Sequence, residues 1–104
     1  MDASTTAKTQ RLEALVRATE VRQARAELKW RIAAGDLAAA DVILTPSREA
    51  ATMSVGEILR SQRRWGKARC AALLRQSPLS EGKTIGSMTA RQRRAVADLL
   101  PRDS

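Results

Sequence analysis

The sequence predicts an all-α protein, because its apolar residues suit close helix packing and the usual strand signals are missing. Its 104 residues include many Ala and two Trp but neither Phe nor Tyr. β-Branched residues are scattered, no alternating run is long, and no Asn-Gly or Asp-Gly hairpin turn occurs. Two capping boxes, Ser54-Val55-Gly56-Glu57 and Thr89-Ala90-Arg91-Gln92, mark helix starts. We expect about five helices in a single small domain, residues 8–104.

The first third of the chain predicts one long helix, residues 8–34. Residues 1–7 are small and polar, and we expect them to form a disordered tail. Nothing breaks a helix between Lys8 and Ala34, and Gly35 is a typical helix stop. An apolar stripe on the C-terminal half would dock this helix on the rest of the domain: Val21, Ala24, Leu28 and Ile32.

The other side chains of the long helix sort onto separate sides when the helix is wound at about 100° per residue. Four bases fall within one arc: Arg11, Arg22, Arg25 and Lys29. Three acids repeat every seven residues on nearly the opposite side: Glu13, Glu20 and Glu27. A second apolar group, Leu12, Leu15 and Val16, lies away from the docking stripe, so the N-terminal half would project or pack on a partner.

Residues 36–52 predict two short helices. Asp36 can cap a helix from Leu37 to about Leu44, and Thr45-Pro46 offers a cap followed by proline at the first helical position. Next, the Ser54 capping box opens a helix to about residue 62, with Met53 and Ile58 placed as its hydrophobic staple.

Residues 53–100 have the layout of a helix-two-turn-helix or helix-hairpin-helix module. The first helix is followed by a turn over residues 63–67 and by a helix over 68–76, which Ser77-Pro78 ends. A loop with Gly82 and Gly86 returns to a last helix, closed by Pro101. A tight glycine turn at a helix N-terminus directs unpaired backbone N–H groups outward, where they can hold a phosphate.

The positive charge lies on this module. Residues 1–59 carry eight bases and eight acids, whereas residues 60–94 carry ten bases against Glu81 alone. Such a field concentrates polyanions, so nucleic acid is the first partner to consider. The predicted ligands around the turn are Arg63, Arg64, Gly66, Lys67 and Arg69. Flanking ligands would be Lys83, Arg91 and Arg94 on one side and Arg22, Arg25 and Lys29 on the other.

The two tryptophans and the cysteine have competing interpretations. Trp65, which we include among the DNA-binding residues, could be a wedge or stacking residue at the turn tip, although a Trp beside a tight turn more often pins two helices. Trp30 is expected to be a local packing residue, and Cys70 a small side chain packed between helices.

Several motifs resemble the actinobacterial integration host factor family. The run from Glu20 to Lys29 is similar to that family's long-helix signature. Further matches to its helix-two-turn-helix pattern are Met53-Ser54-Val55, Ile58-Leu59, Gly66-Lys67, Arg69 and Gln92-Arg93. The resemblance spans most of residues 11–100. It implies a nucleoid-associated protein that bends double-stranded DNA and contacts the phosphate backbone from the minor-groove side.

Two departures from the family pattern fall in the binding segments. Where the family has Pro-Gly-Val-Gly-Lys this chain reads Arg63-Arg64-Trp65-Gly66-Lys67, so Arg64 replaces the first glycine. Where the family has an arginine-rich segment, residues 81–86 keep only Lys83 as a base. We therefore expect a divergent member in which guanidinium groups substitute for some amide donors.

Other function classes lack their residues. With no His and a single Cys, the chain has neither a usual zinc-ligand set nor a Cys-His pair, and it has no phosphate-binding Gly-rich loop. We expect no enzymatic activity, metal, cofactor or small-molecule substrate. No apolar stretch approaches the length of a membrane span or a signal h-region, so we expect a cytoplasmic protein, and the resemblance implies that it associates with the nucleoid.

Two alternatives remain open. One is a structured-RNA or ribosome-associated binding protein, because the same kind of module binds folded RNA. The other is a phage or recombination adaptor that recruits a protein partner through the Leu12, Leu15 and Val16 face of the N-terminal helix.

Overall fold

The computed structural model describes residues 3–101, with side chains from residue 5 onward. Its elements are α1 (Ala3–Ala34), α2 (Ala39–Leu44), α3 (Arg48–Ala51), α4 (Val55–Ser61), α5 (Lys67–Gln76), a 3₁₀ turn (Ile85–Ser87) and α6 (Ala90–Leu99). Over these residues no strand forms, and Ser54 and Thr84 make an isolated antiparallel bridge. The all-α prediction is confirmed: residues 3–101 form six α-helices, where about five helices were expected. No helix among the described residues is long and apolar enough to cross a membrane.

Helix α1 is a rod of about 48 Å in a molecule whose longest dimension is 58 Å. It begins at Ala3, earlier than the expected start at Lys8, because no residue of the segment 3–7 interrupts a helix. Residues 3–7 of the predicted tail therefore belong to α1, and residues 1 and 2 lie outside the described part. The predicted stop is confirmed, since Gly35 has a φ of 84° and its N–H donates to the Ile32 carbonyl.

The core lies in the body formed by α2 to α6, where α2 packs along α6. Its largest fully buried side chains are Ile43, Met53, Val55, Ile58, Leu59, Cys70, Ile85 and Val96. Of the docking stripe on α1, Ile32 is buried and Leu28 packs against the core, while Val21 is exposed. Only the C-terminal half of α1 is attached to the body, and its N-terminal half projects.

The predicted N-caps Asp36 and Thr45 are wrong, because each residue is hydrogen-bonded to the end of the preceding helix. The N–H of Asp36 donates to the Arg31 carbonyl (2.9 Å), which ties Asp36 to the end of α1, and α2 starts after Ala38 without a side-chain cap. Thr45 is tied in the same way to the Asp41 carbonyl. Helix α3 is instead capped by Ser47, whose Oγ accepts from the Ala50 N–H at 3.2 Å.

The capping residues predicted for α4 and α6 are confirmed, but the two boxes are completed differently. Ser54 Oγ accepts from the Glu57 N–H at 3.1 Å, while the Glu57 carboxylate pairs with Lys29 Nζ at 3.2 Å. Thr89 and Gln92 form the full reciprocal box, with bonds of 3.1 and 2.9 Å. Glu57 thus links α4 to α1, whereas the start of α6 is closed locally.

The return loop over residues 80–86 lies flat on the corner between α3 and α4. The N–H groups of Val55 and Gly56 donate to the carbonyls of Lys83 and Glu81, and the Ile85 N–H donates to Met53. A Cβ on Gly56 would sit 3.0 Å from the Glu81 carbonyl oxygen, and one on Gly86 would sit 2.9 Å from that of Ala51. Gly86 therefore allows a close backbone approach that a Cβ would prevent, and at Gly56 a Cβ would force the Glu81 carbonyl to shift.

Candidate nucleic-acid interface

The turn between α4 and α5 has a strained residue at its tip. The Trp65 N–H donates to the Gln62 carbonyl at 3.1 Å, and Arg64 has a φ of 70°. A positive φ at the third turn position is the pattern of type II turns, which favour Gly or Asn there. Position 64 is where the resembled family has its first hairpin glycine. Arg64 keeps the turn in the left-handed region at a backbone cost of about 1–2 kcal/mol.

Gly66 opens α5 and leaves its N-terminus uncapped. It is the N-cap residue in extended conformation, with no side chain to accept from the first N–H groups, and the first turn contains no acid. A Cβ at Gly66 would meet nothing within 4 Å, so neither the backbone angle nor packing requires glycine here. The glycine leaves the space over the N–H groups open, and the positive end of the helix dipole favours an anion in it.

Exposed bases surround this helix start. Arg63, Arg64 and Lys67 are exposed, and among residues 3–101 no carboxylate forms an ion pair with them. The Arg69 guanidinium lies over the Trp65 ring, 4.1 Å from its centroid. Trp65 itself is half-buried and packs against the core, so its ring joins the turn to the body and orients Arg69.

Glu81, the acid within the basic segment, forms no ion pair with the described bases of the turn. Its carboxylate pairs with Arg60 at 3.6 Å, and both side chains remain partly exposed. Cys70 is fully buried beside them, as predicted for a packing residue. Burial raises the pKa of the Cys70 thiol, and among the nearby charges Arg60 lowers it most, followed by the raising effect of Glu81 and the lowering effect of Arg69. The charges of α4, α5 and the return loop therefore meet around one buried thiol.

The bases predicted on α1 differ in how freely they are presented. Arg25 Nη2 donates to Thr52 Oγ1 at 2.7 Å, and its Nε is buried without an acceptor among the described residues. Lys29 pairs with Glu57, and exposed Arg22 makes a long bond of 3.4 Å to Thr19 Oγ1. Arg25 and Lys29 are thus held against the body, and Lys29 shares a shallow hollow with Arg60 at the end of α4.

Trp30 is 66% exposed, so the prediction that it packs locally is wrong. It lies on the side of α1 opposite Leu28 and Ile32, which face the body. The helical spacing of these three residues is enough to predict that Trp30 faces away from the body.

The bases of α6 and the return loop have different roles. Arg91 and Arg94 are exposed and line one hollow together with Asp98. Arg93 turns inward and donates from Nε and Nη2 to the Ile85 carbonyl at 3.3 and 3.2 Å. Lys83 is half-buried, with its carbonyl bonded to Val55. Arg93, which contributed to the charge count, is therefore mainly a structural residue that fixes the return loop on α6.

Other parts of the described surface differ in chemistry from the turn. Among residues 3–101 no group of His, Cys, Asp and Glu is placed to hold a metal ion. A hollow between α1, α2 and α3 carries Glu27, Asp41 and Glu49 along with Arg31, so its charge is opposite to that of the turn.

Comparison with known proteins gives one structural similarity. No family model matches the chain, and no curated protein matches it. The fold is similar to that of sIHF, the actinobacterial integration host factor, in its structure bound to an 8-base-pair palindromic DNA. The TM-score is 0.70 at 23% identity, and the match covers 79% of this chain and 94% of the other. This confirms, at the level of the fold, the resemblance indicated by the sequence motifs.

Proposed function

We propose that this protein is a non-enzymatic architectural protein of the integration host factor type that binds double-stranded DNA. It contacts the phosphate backbone with low sequence preference and bends or compacts the duplex in the nucleoid, where it assists recombination. The observation that carries the proposal is the uncapped N-terminus of α5, surrounded by exposed Arg63, Arg64 and Lys67 without carboxylate partners. Open backbone N–H groups, a helix dipole and adjacent cations together suit a phosphate.

A duplex explains the other bases better than a single small anion does. A phosphate at Gly66 would be the centre of a longer contact, extended by Lys83, Arg91 and Arg94 on one flank and by Arg22, Arg25 and Lys29 on the other. On this proposal Lys29 exchanges Glu57 for a phosphate, and Trp65 acts by holding Arg69 in place. The similarity of the fold to that of DNA-bound sIHF supports this choice of partner.

Low sequence preference follows from the side chains available. The chain has no Asn, and Arg and Lys contacts to phosphates position a protein without specifying bases. Bending rests on the resemblance and on the minor-groove approach that it implies.

The decisive measurement is the salt dependence of binding to random-sequence duplex DNA, followed by fluorescence anisotropy. If roughly five to seven phosphates are neutralised, log K falls with log salt at a slope of about −4.5 to −6. A slope near zero would refute backbone binding. Fluorescence energy transfer between dyes at the two duplex ends then tests bending, which requires the ends to approach when the protein binds.

Competition with a matched RNA duplex separates the proposed partner from the RNA alternative. A-form RNA has a wide, shallow minor groove, so a surface fitted to B-DNA binds it more weakly. Equal or tighter binding to RNA would favour the ribosome-associated interpretation.

A further inference from the structure

Helix α1 carries a second stripe on the side opposite its attachment to the body. Counting about 100° per residue places Leu12, Val16 and Trp30 diametrically opposite Leu28 and Ile32. Their side chains are 63%, 55% and 66% exposed. Exposed residues continue this stripe at alternating spacings of three and four, and we call the set the seam: Thr9, Leu12, Val16, Thr19, Gln23, Ala26 and Trp30.

The seam has the heptad spacing of a coiled coil over about three heptads, with apolar residues at four of its seven a and d positions: Leu12, Val16, Ala26 and Trp30. Thr9, Val16, Gln23 and Trp30 occupy a positions, and Leu12, Thr19 and Ala26 occupy d positions. A β-branched residue at a with leucine at d, as in Val16 and Leu12, favours two strands. A polar residue at an a position, here Gln23, fixes register at some expense of stability.

The charges beside the seam select the partner and its direction. One flank, the e positions, carries Glu13, Glu20 and Glu27, and the other, the g positions, carries Lys8, Leu15, Arg22 and Lys29. In a parallel pair each g residue faces the e residue five positions later on the other helix. Lys8 would then face Glu13 of a second copy, and Arg22 would face its Glu27. An antiparallel pair would instead bring like charges together.

We propose that α1 forms a parallel two-stranded coiled coil with a second copy of this chain along the seam. From Thr9 to Gln23 the seam lies on the projecting part of α1, where every residue is exposed, and nearer the body Trp30 lines a hollow with Glu57 and Arg60. Among the described residues, neither Glu13 nor Glu20 forms an ion pair that would compete. The pairing does not rest on the DNA proposal, and it places the two bodies on the outside of the helix pair.

Sedimentation velocity on the full chain, without DNA and over a wide range of protein concentrations, tests the association. We expect monomer to convert to dimer as concentration rises. Leu12→Gln with Val16→Gln should raise the dissociation constant about a hundredfold or more, because two apolar side chains per copy lose their burial. The control is Ala14→Gln with Ala18→Gln. Both residues are exposed in the N-terminal half of α1 but are not part of the seam, so the dissociation constant should change little.

Two results would overturn the pairing. One is a monomer at every concentration, and the other is an equal effect of the seam and control substitutions, which would indicate a general loss of helix. Circular dichroism of all three chains distinguishes that loss from a lost interface.

Exchange of the flanking charges tests the direction. Chains with Lys8→Glu and Arg22→Glu, or with Glu13→Lys and Glu27→Lys, should each self-associate several-fold more weakly, while their equimolar mixture should associate again. A mixture as weak as its components contradicts the parallel arrangement. A protein that forms dimers but does not bind DNA would refute only the proposed function. A protein that binds DNA but stays monomeric would refute only the coiled coil.

Discussion

Two helices of the basic segment, α5 and α6, begin in opposite ways. Helix α6 is closed by Thr89 and Gln92, each of which satisfies a backbone N–H of the other's residue. Helix α5 begins at Gly66 with no side-chain cap, although a larger residue would fit there. Helix α2 also starts without a side-chain cap, but its first turn carries Asp41, whereas the first turn of α5 contains no acid. An open start among exposed bases keeps its donors for an acceptor from outside the chain.

The largest expected difference between the two helix starts is in DNA affinity after charge reversal. Arg63→Glu with Arg64→Glu should weaken binding to random duplex DNA by about a hundredfold or more, since two phosphate contacts become repulsive beside the open helix start. Arg91→Glu with Arg94→Glu on α6 is the matched pair and should cause a clearly smaller loss. Anisotropy titrations at one salt concentration measure both, and equal losses would remove the special role of the α5 start.

Closing the open start should change affinity and stability in opposite directions. Gly66→Asp supplies a cap and a more restricted unfolded backbone, so the free energy of unfolding should rise by about 0.5–1 kcal/mol. The same carboxylate occupies the phosphate position, so DNA affinity should fall by about tenfold or more. Gly66→Ser is the neutral control, with a similar gain in stability and a smaller loss of affinity. Unchanged affinity in the aspartate variant would show that the N–H groups bind no phosphate.

Arg64 allows backbone strain to be separated from charge. Arg64→Gly and Arg64→Ala remove the same guanidinium, so their DNA affinities should fall equally. Only glycine relieves the positive φ, so the glycine variant should have a free energy of unfolding about 1–2 kcal/mol higher than the alanine variant. Denaturant unfolding measures the difference, and equal stabilities would mean that the turn does not hold this conformation in solution.

The smallest effect on binding is expected where α6 is opened. Thr89→Ala removes the cap and should lower the free energy of unfolding by about 1 kcal/mol, while DNA affinity stays within about twofold. Gln92→Ala removes only the reciprocal bond and should cost less. A large loss of DNA affinity in either variant would place the α6 start in the binding surface and weaken the contrast with α5.

Local signals in the sequence predicted most of the fold and the position of the candidate site. Ser54, Thr89 and Gly35 act within a few residues along the chain, so their roles at helix ends could be read from spacing alone. The turn at residues 63–67 was predicted for the same reason. Asp36 and Thr45 are also typical N-cap residues, but their N–H groups are hydrogen-bonded to carbonyls at the ends of α1 and α2.

Contacts between distant segments were not predictable in this way. The Glu57 carboxylate pairs with Lys29 and does not complete its capping box, and the Arg93 guanidinium donates to the Ile85 carbonyl and does not extend into solvent. The fold brings these partners within reach. The left-handed conformation of Arg64 could not be predicted from the residue type, because arginine rarely adopts it. Only the resemblance, with glycine at that place, carried the information.

In the return loop, the two glycine contacts determine the backbone path, whereas other residues determine the charge. The path is held where Gly56 meets Glu81 and Gly86 meets Ala51, because a methyl group would be crowded at the first crossing and would not fit at the second. Residues between these crossings can exchange charged for neutral side chains without moving the backbone. The strength of attraction for a polyanion can therefore drift from one descendant of this chain to another while the architecture stays constant, and an arginine-rich segment could be lost or regained by point substitution.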